Sequence, residues 1–69
     1  MPIVIYTLKN CDVSDKAVKA LRERAVDFEE RRVDENAAWW DEALNYSMSV
    51  PVILWDNGDV EIGWEGEHG

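Results

Sequence analysis

The chain opens on an unbroken apolar, β-branched run, Ile3-Val4-Ile5-Tyr6, which reads as a short strand buried on both faces. Lys9-Asn10 interrupts that run, and Asp12 to Asp15 supplies helix-start chemistry, with Ser14 and the acids in the favoured first turn. Apolar residues then recur at Val13, Ala17, Val18, Ala20, Leu21 and Ala25, the spacing of one helical face, with Lys and Arg gathered toward its C-terminal end. The segment from Val26 to Val33 alternates and predicts a second strand, nearer an edge of the sheet. Asp34-Glu35-Asn36 caps a second helix, on which Ala37, Trp40, Ala43 and Leu44 share a face, Trp39 widens it and Asn45 is the stop. Val50-Pro51-Val52-Ile53-Leu54-Trp55 gives a third strand that begins at a proline. Asp56-Asn57-Gly58-Asp59 is a hairpin turn whose Asn-Gly pair supplies positive φ angles, and Val60-Glu61-Ile62 is the returning strand.

The order strand, helix, strand, helix, strand, strand predicts an α/β fold. The first three elements form a βαβ unit with a right-handed crossover, and the closing hairpin makes the four-stranded sheet mixed. The 69 residues are expected to form one domain, 1–69, with 64–69 a short tail lacking regular structure. Trp39 and Trp40 read as packing and surface cover, and Trp55 as core. Trp64, in the glycine-flanked stretch after the last strand, is the tryptophan expected to meet a partner. His68 reads as a tail residue.

Charge changes the picture of what binds. Residues 1–32 carry seven bases and six acids, a balance of +1. From residue 33 onward there are nine acids and no base, a balance of −9. Nucleic acids and anionic lipid surfaces attract clustered Lys and Arg, so neither is an expected partner. No basic, apolar leader pattern opens the chain, and no apolar run approaches the ~18 residues of a membrane span. A cytoplasmic, reducing setting is the expectation. One cysteine and one histidine exclude an internal disulfide and a zinc site built by one chain.

Cys11, the single cysteine, falls where the first strand gives way to the first helix. Backbone N–H groups and the helix dipole favour negative charge there, and the thiolate is the reactive form of a thiol. Lys9 and Lys16 favour the thiolate too, while Asp12 and Asp15 oppose it, so a modest lowering of its pKa is expected. The bland alternative is a buried, inert thiol. Ser14 stands three residues on, where its hydroxyl caps the helix but cannot attack a mixed disulfide as a second thiol does.

In three places, taken in order, the chain resembles the glutaredoxin branch of the thioredoxin fold. Ile3-Val4-Ile5-Tyr6-Thr7 leading to Cys11-Asp12-Val13-Ser14 is similar to the family's first strand and Cys-x-x-Cys or Cys-x-x-Ser site. Val50-Pro51 is similar to the Val-Pro whose proline is cis and faces the thiol in that family. Ile62-Gly63-Trp64-Glu65-Gly66 resembles the region after the last strand, which carries a Trp-small-Gly pattern in the glutaredoxin-like donors to ribonucleotide reductase. Asp12 departs from the proline many members have there. The resemblance implies a minimal thioredoxin-like fold (βαβαββ) without the family's final helix. It places Cys11 as the nucleophile, Ser14, Lys9, Asp12 and Tyr6 in support, and Val50, Pro51, Gly63 and Trp64 at the substrate.

The function this implies is that of a monothiol thiol–disulfide oxidoreductase which needs an external resolving thiol. Glutathione is the ligand the resemblance brings in. Lys9 only approximates the cation that meets its carboxylate, and the family's Gly-Gly-Asp contact is not reproduced after Gly63. The acidic second half also disfavours an anionic tripeptide and favours a neutral or basic thiol- or disulfide-containing protein. A second reading is a non-catalytic adaptor whose acidic face docks a basic protein, and a third is glutathione-assisted iron–sulfur binding by a dimer. The expected state for the first reading is a monomer.

Overall fold

The computed structural model describes residues 2–66, and its elements follow one another as β1 (Ile3–Thr7), α1 (Asp12–Glu23), β2 (Phe28–Arg32), α2 (Ala37–Leu44), β3 (Val52–Leu54) and β4 (Val60–Ile62). The sheet order is β2-β1-β3-β4. β1 pairs with β2 in parallel from Ile3 opposite Phe28 to Thr7 opposite Arg32. β3 pairs antiparallel with both β1 and β4, so the sheet is mixed and β2 is an edge strand. Residues 67–69, and with them His68, lie outside the described residues.

Strand alternation divides the core in two. Ile3, Ile5 and Ile53 point to one face and pack with Ala17, Val18 and Leu21 of α1. Tyr6 and Val52 point to the other, where Ala43 and the half-buried Trp39 of α2 cover them. Val60 and Ile62, opposite Leu54 and Val52, share that second face but remain exposed.

Four local expectations are corrected. The apolar face of α1 stops before Ala25, which is exposed and left-handed at φ 55°. Ala25 N–H bonds to Arg22 C=O at 3.0 Å and Val26 N–H to Leu21 C=O at 3.4 Å, the paired bonds of a Schellman end. On α2 the inward pair is Trp39 and Ala43, four residues apart, while Ala37, Trp40 and Leu44 are exposed. In the hairpin only Gly58 has a positive φ, 95°, and its N–H reaches Trp55 C=O at 3.0 Å. That geometry is a three-residue loop closed by Trp55 N–H on Asp59 C=O, rather than a two-residue Asn-Gly turn. Finally Trp64, expected to open a tail, is packed into the α1-side core at 7% exposure, with the Arg24 guanidinium 5.3 Å from its ring centre.

The charge segregation has a partial structural account. Arg31 of β2 pairs with Glu42 of α2 at 2.7 Å and with Glu29 on its own strand. Arg32 lies 3.9 Å from Asp34 and 3.5 Å from Glu35. The last bases of the first half therefore meet acids at the start of the second half and on α2.

Candidate active site

Cys11 is the N-cap residue of α1, in extended conformation at φ −100°, ψ 113°. The turn that delivers it is closed by its own N–H on Leu8 C=O at 3.3 Å, with Asn10 left-handed at φ 61°. Asparagine tolerates that conformation better than most residues, so Lys9-Asn10 suits the bend between strand and helix. A capping side chain accepts a bond from the N–H two or three residues on. At this helix no side-chain cap bond is made, and the Cys11 residue is partly exposed. Asp12 and Asp15 lie in the first turn, and both are exposed.

Ser14 does not cap α1. It occupies the third helical position, its residue is 1% exposed, and its Oγ has no hydrogen-bond partner. The physical reason is position. The capping place belongs to Cys11, and residue 14 falls on the inward face with Ala17, Val18 and Leu21.

The register brings the β3 entrance to the same end of the sheet. Tyr6 is opposite Val52, so extending the ladder sets Thr7 opposite Pro51 and Leu8 opposite Val50. The Val50–Pro51 peptide is cis, and Pro51 is fully buried. Gly63 N–H donates to Pro51 C=O at 2.8 Å, and Gly63 itself is left-handed at φ 84°. Gly63 thus fixes the backbone of Pro51 instead of presenting its N–H to a ligand. The next residue, Trp64, is buried.

Tyr6, expected among the residues supporting the thiol, has its hydroxyl engaged by Glu42 and Arg31. Alternation sends its side chain to the α2 face, where its hydroxyl donates to Glu42 Oε1 at 2.8 Å. Arg31 Nη1 donates both to that carboxylate, at 2.7 Å, and to the Tyr6 oxygen, at 3.2 Å. Burial first, and the Glu42 bond second, raise the Tyr6 pKa; Arg31 works against them. The Arg31 guanidinium is held more firmly protonated, chiefly through Glu29. Lys9 is exposed at the outer side of the turn.

Thr7, Glu30, Arg31 and Glu42 were not singled out by sequence reasoning. Thr7 is buried, and its Oγ1 donates to Glu30 at 2.9 Å, while its C=O accepts from Val33 N–H at 2.9 Å. The available signal was the Glu29-Glu30-Arg31-Arg32 run, whose alternate members face opposite sides once its register with β1 is known. Beside Leu8 and Val50 lies a groove lined also by Val33, Trp40, Leu44 and Met48. No group of three or more metal-ligating side chains occurs among the described residues. Nor is any helix there long and apolar enough to cross a membrane.

With this geometry in view, the glutaredoxin family model matches residues 3–60. The chain belongs to the glutaredoxin family. Two solved structures of similar shape are also of that kind. The glutaredoxin (grx-1) of Archaeoglobus fulgidus superimposes with a TM-score of 0.76 at 21% identity, covering 91% of this chain and 75% of its own. The glutaredoxin-like protein NrdH-redoxin of Escherichia coli gives a TM-score of 0.70 at 27% identity, covering 96% of this chain and 83% of its own. The archaeal likeness carries the fold. A comparison with curated proteins gives no match. The matched stretch, residues 3–60, takes in the β1–α1–β2 unit, Cys11 at the N-cap of α1 and the cis Val50–Pro51 peptide before β3.

Proposed function

We propose that this glutaredoxin-like protein carries out thiol–disulfide exchange through Cys11 alone. The observation that carries the reading is a partly exposed cysteine at the N-cap of α1, on the loop that the β1–β3 register sets beside Val50 and Pro51. Family membership and the NrdH-redoxin of Escherichia coli, whose structure is described in terms of a thioredoxin-like activity profile, support redox chemistry. The Cys11 thiolate attacks one sulfur of a substrate disulfide, forms a mixed disulfide, and the other sulfur leaves as a thiolate that takes up a proton. An external thiolate then attacks the substrate sulfur of the mixed disulfide. Cys11 leaves as thiolate, and the substrate leaves joined to the external thiol. Ser14 cannot perform that second attack, so the mixed disulfide is discharged by a thiol from outside this chain, either the external one or a thiol of the substrate itself.

Substrates on this reading are disulfide-bearing proteins in a reducing compartment, with Lys9 and Asp12 bordering the thiol. The test is mass spectrometry after mixing the protein with a single-cysteine peptide whose sulfur is held in a disulfide with a small thiol, so that the leaving thiol is lost to solution. Accumulation of a Cys11 adduct, absent in Cys11→Ser and discharged by added thiol, is the expected outcome. No adduct over a wide pH range overturns the reading. It leaves the adaptor alternative, which the half-exposed Trp40 and Leu44 favour.

A further inference from the structure

The sheet ends on β2 at one side and β4 at the other, and the two edges are built differently. On β2 every position but Phe28 is charged. Arg31 is tied to Glu29 and Glu42, and Arg32 stands near Asp34 and Glu35. Charged side chains along an edge keep it from pairing with another chain. β4 has no such row. Its exposed side chains are Val60 (46%) and Ile62 (36%), both on the α2 face, while the half-buried Glu61, opposite Ile53, is on the α1 face.

The hydrogen bonds of the hairpin determine which backbone groups of β4 are free. Trp55 N–H donates to Asp59 C=O at 2.9 Å, and Gly63 N–H to Pro51 C=O at 2.8 Å. In an antiparallel ladder, residues whose N–H and C=O both face the partner alternate with residues whose groups face away. Asp59, Glu61 and Gly63 therefore face β3, and Val60 and Ile62 turn their N–H and C=O groups to the open side. The same two residues thus offer unpaired backbone groups and exposed apolar side chains, the two things an added strand uses.

Charge selects the occupant. Asp59 and Glu61 alternate with Val60 and Ile62, Asp56 and Glu65 flank them, and residues 56–65 hold no base. Arg24 is engaged over the Trp64 ring. A second copy paired through this edge sets Val60 against Ile62 but also Glu61 against Glu61, and like charges directly opposite are destabilising. A basic strand meets no such conflict.

We infer that β4 accepts, as an added antiparallel strand, an extended segment of a basic protein in which apolar residues alternate with Lys or Arg. Its apolar side chains lie beside Val60 and Ile62 on one face of the sheet, and its basic ones meet Glu61 on the other, with Asp59 next along the strand. Backbone bonds to Val60 and Ile62 give affinity, and the alternation gives selectivity. The site is separate from Cys11 and stands whether or not the redox reading does.

The experiment titrates the intact protein with short peptides that alternate lysine and valine, glutamate and valine, or lysine and serine. The lysine–valine peptide is expected to bind about tenfold more tightly than either of the others, through a few favourable cross-strand pairs. Added salt narrows its advantage over the glutamate peptide. Amide hydrogen exchange locates it, since the Val60 and Ile62 amides gain protection while that of Glu61, already facing β3, changes little. N-methylation of the valines, which lie opposite Val60 and Ile62, weakens binding more than N-methylation of the lysines. Glu61→Lys turns the preference toward the glutamate–valine peptide. The peptide comparisons use the parent protein, so they decide the matter even if the Glu61→Lys chain fails to fold. Equal binding of the lysine and glutamate peptides, or of the valine and serine peptides, overturns the inference, as does protection gathered on Phe28–Arg32 instead. Protection of Val60 and Ile62 that grows with protein concentration in the absence of peptide assigns the edge to a second copy and overturns it too.

Discussion

The two faces of the sheet are held by different physics. On the α1 face, Ile3, Ile5, Ala17, Val18, Leu21, Ile53 and Trp64 close into an apolar core. On the α2 face an eight-residue helix buries Ala43, half-buries Trp39, and is tied down by the Tyr6–Glu42–Arg31 bonds. Apolar burial is non-directional and stabilises in proportion to area, whereas a polar cluster fixes orientation with little area. The difference teaches a division of labour. The α1 face supplies the stability that holds Cys11 at a helix terminus, and the α2 face leaves Trp40 and Leu44 uncovered next to Val50.

Truncating one side chain on each face breaks the comparison most directly. Leu21 is fully buried on α1, and Leu21→Ala should cost about 2–5 kcal/mol, enough to unfold much of so small a domain at ambient temperature. Leu44→Ala, at a half-exposed site, should stay within about 1 kcal/mol. Chemical denaturation of both variants checks the pair. Equal losses would mean that the α2 face carries as much of the core as the α1 face.

The polar cluster gives the next effect. Tyr6→Phe leaves Glu42 without the hydroxyl bond and should cost about 1.5 kcal/mol, since the bond goes to a charged group. The sign of the pH dependence follows from the raised Tyr6 pKa. The folded protein holds this proton more tightly than the unfolded chain, so the contribution is complete below the ordinary tyrosine value of about 10 and is lost above it. Denaturation midpoints followed from neutral to strongly alkaline pH should fall more steeply for the parent protein than for Tyr6→Phe. Parallel curves would count against it.

These contrasts also explain what was legible in the sequence. Ile3-Val4-Ile5-Tyr6 and the Val13-to-Leu21 spacing identified β1 and α1, because each has one dominant period and enough residues to show it. Asn36 does cap α2, its side chain accepting from Ala38 N–H at 2.9 Å. Which of two adjacent tryptophans faces inward was not legible, since eight residues fit either Trp39 or Trp40 on the buried side. The Tyr6 bonds and the Thr7–Glu30 bond were hidden because they exist only once β1 and β2 are in register. The positions of Cys11 at the start of α1 and of Val50 and Pro51 before β3 were legible, because they follow from local order. The tasks of Ser14, Gly63 and Trp64 depend on what the rest of the chain packs against them.

Ser14 sharpens the contrast from inside the apolar face. A buried hydroxyl without a partner costs about 1–3 kcal/mol, part of which Ser14→Ala returns by removing it. Ser14→Ala should therefore raise stability by about 1 kcal/mol and leave the Cys11 adduct as persistent as before. Unchanged or lower stability in the denaturation curve would show that the hydroxyl has found a partner in solution.

The smallest expected effect lies where the α1 face ends. Ala25 is left-handed at φ 55°, in a helix terminus that usually carries glycine. A Cβ in that conformation costs about 1–2 kcal/mol, and glycine gives back part of any relief through the greater freedom of its unfolded chain. Ala25→Gly should therefore stabilise by about 0.5–1 kcal/mol, read from denaturation at neutral pH. Asn10→Gly relieves a similar φ of 61°, but asparagine bears that conformation more easily, so its gain should be smaller. The order of the two gains separates two mechanisms. If backbone strain sets them, Ala25→Gly exceeds Asn10→Gly; if unfolded-state entropy dominates, both substitutions lower stability and the α1 terminus contributes no strain to relieve.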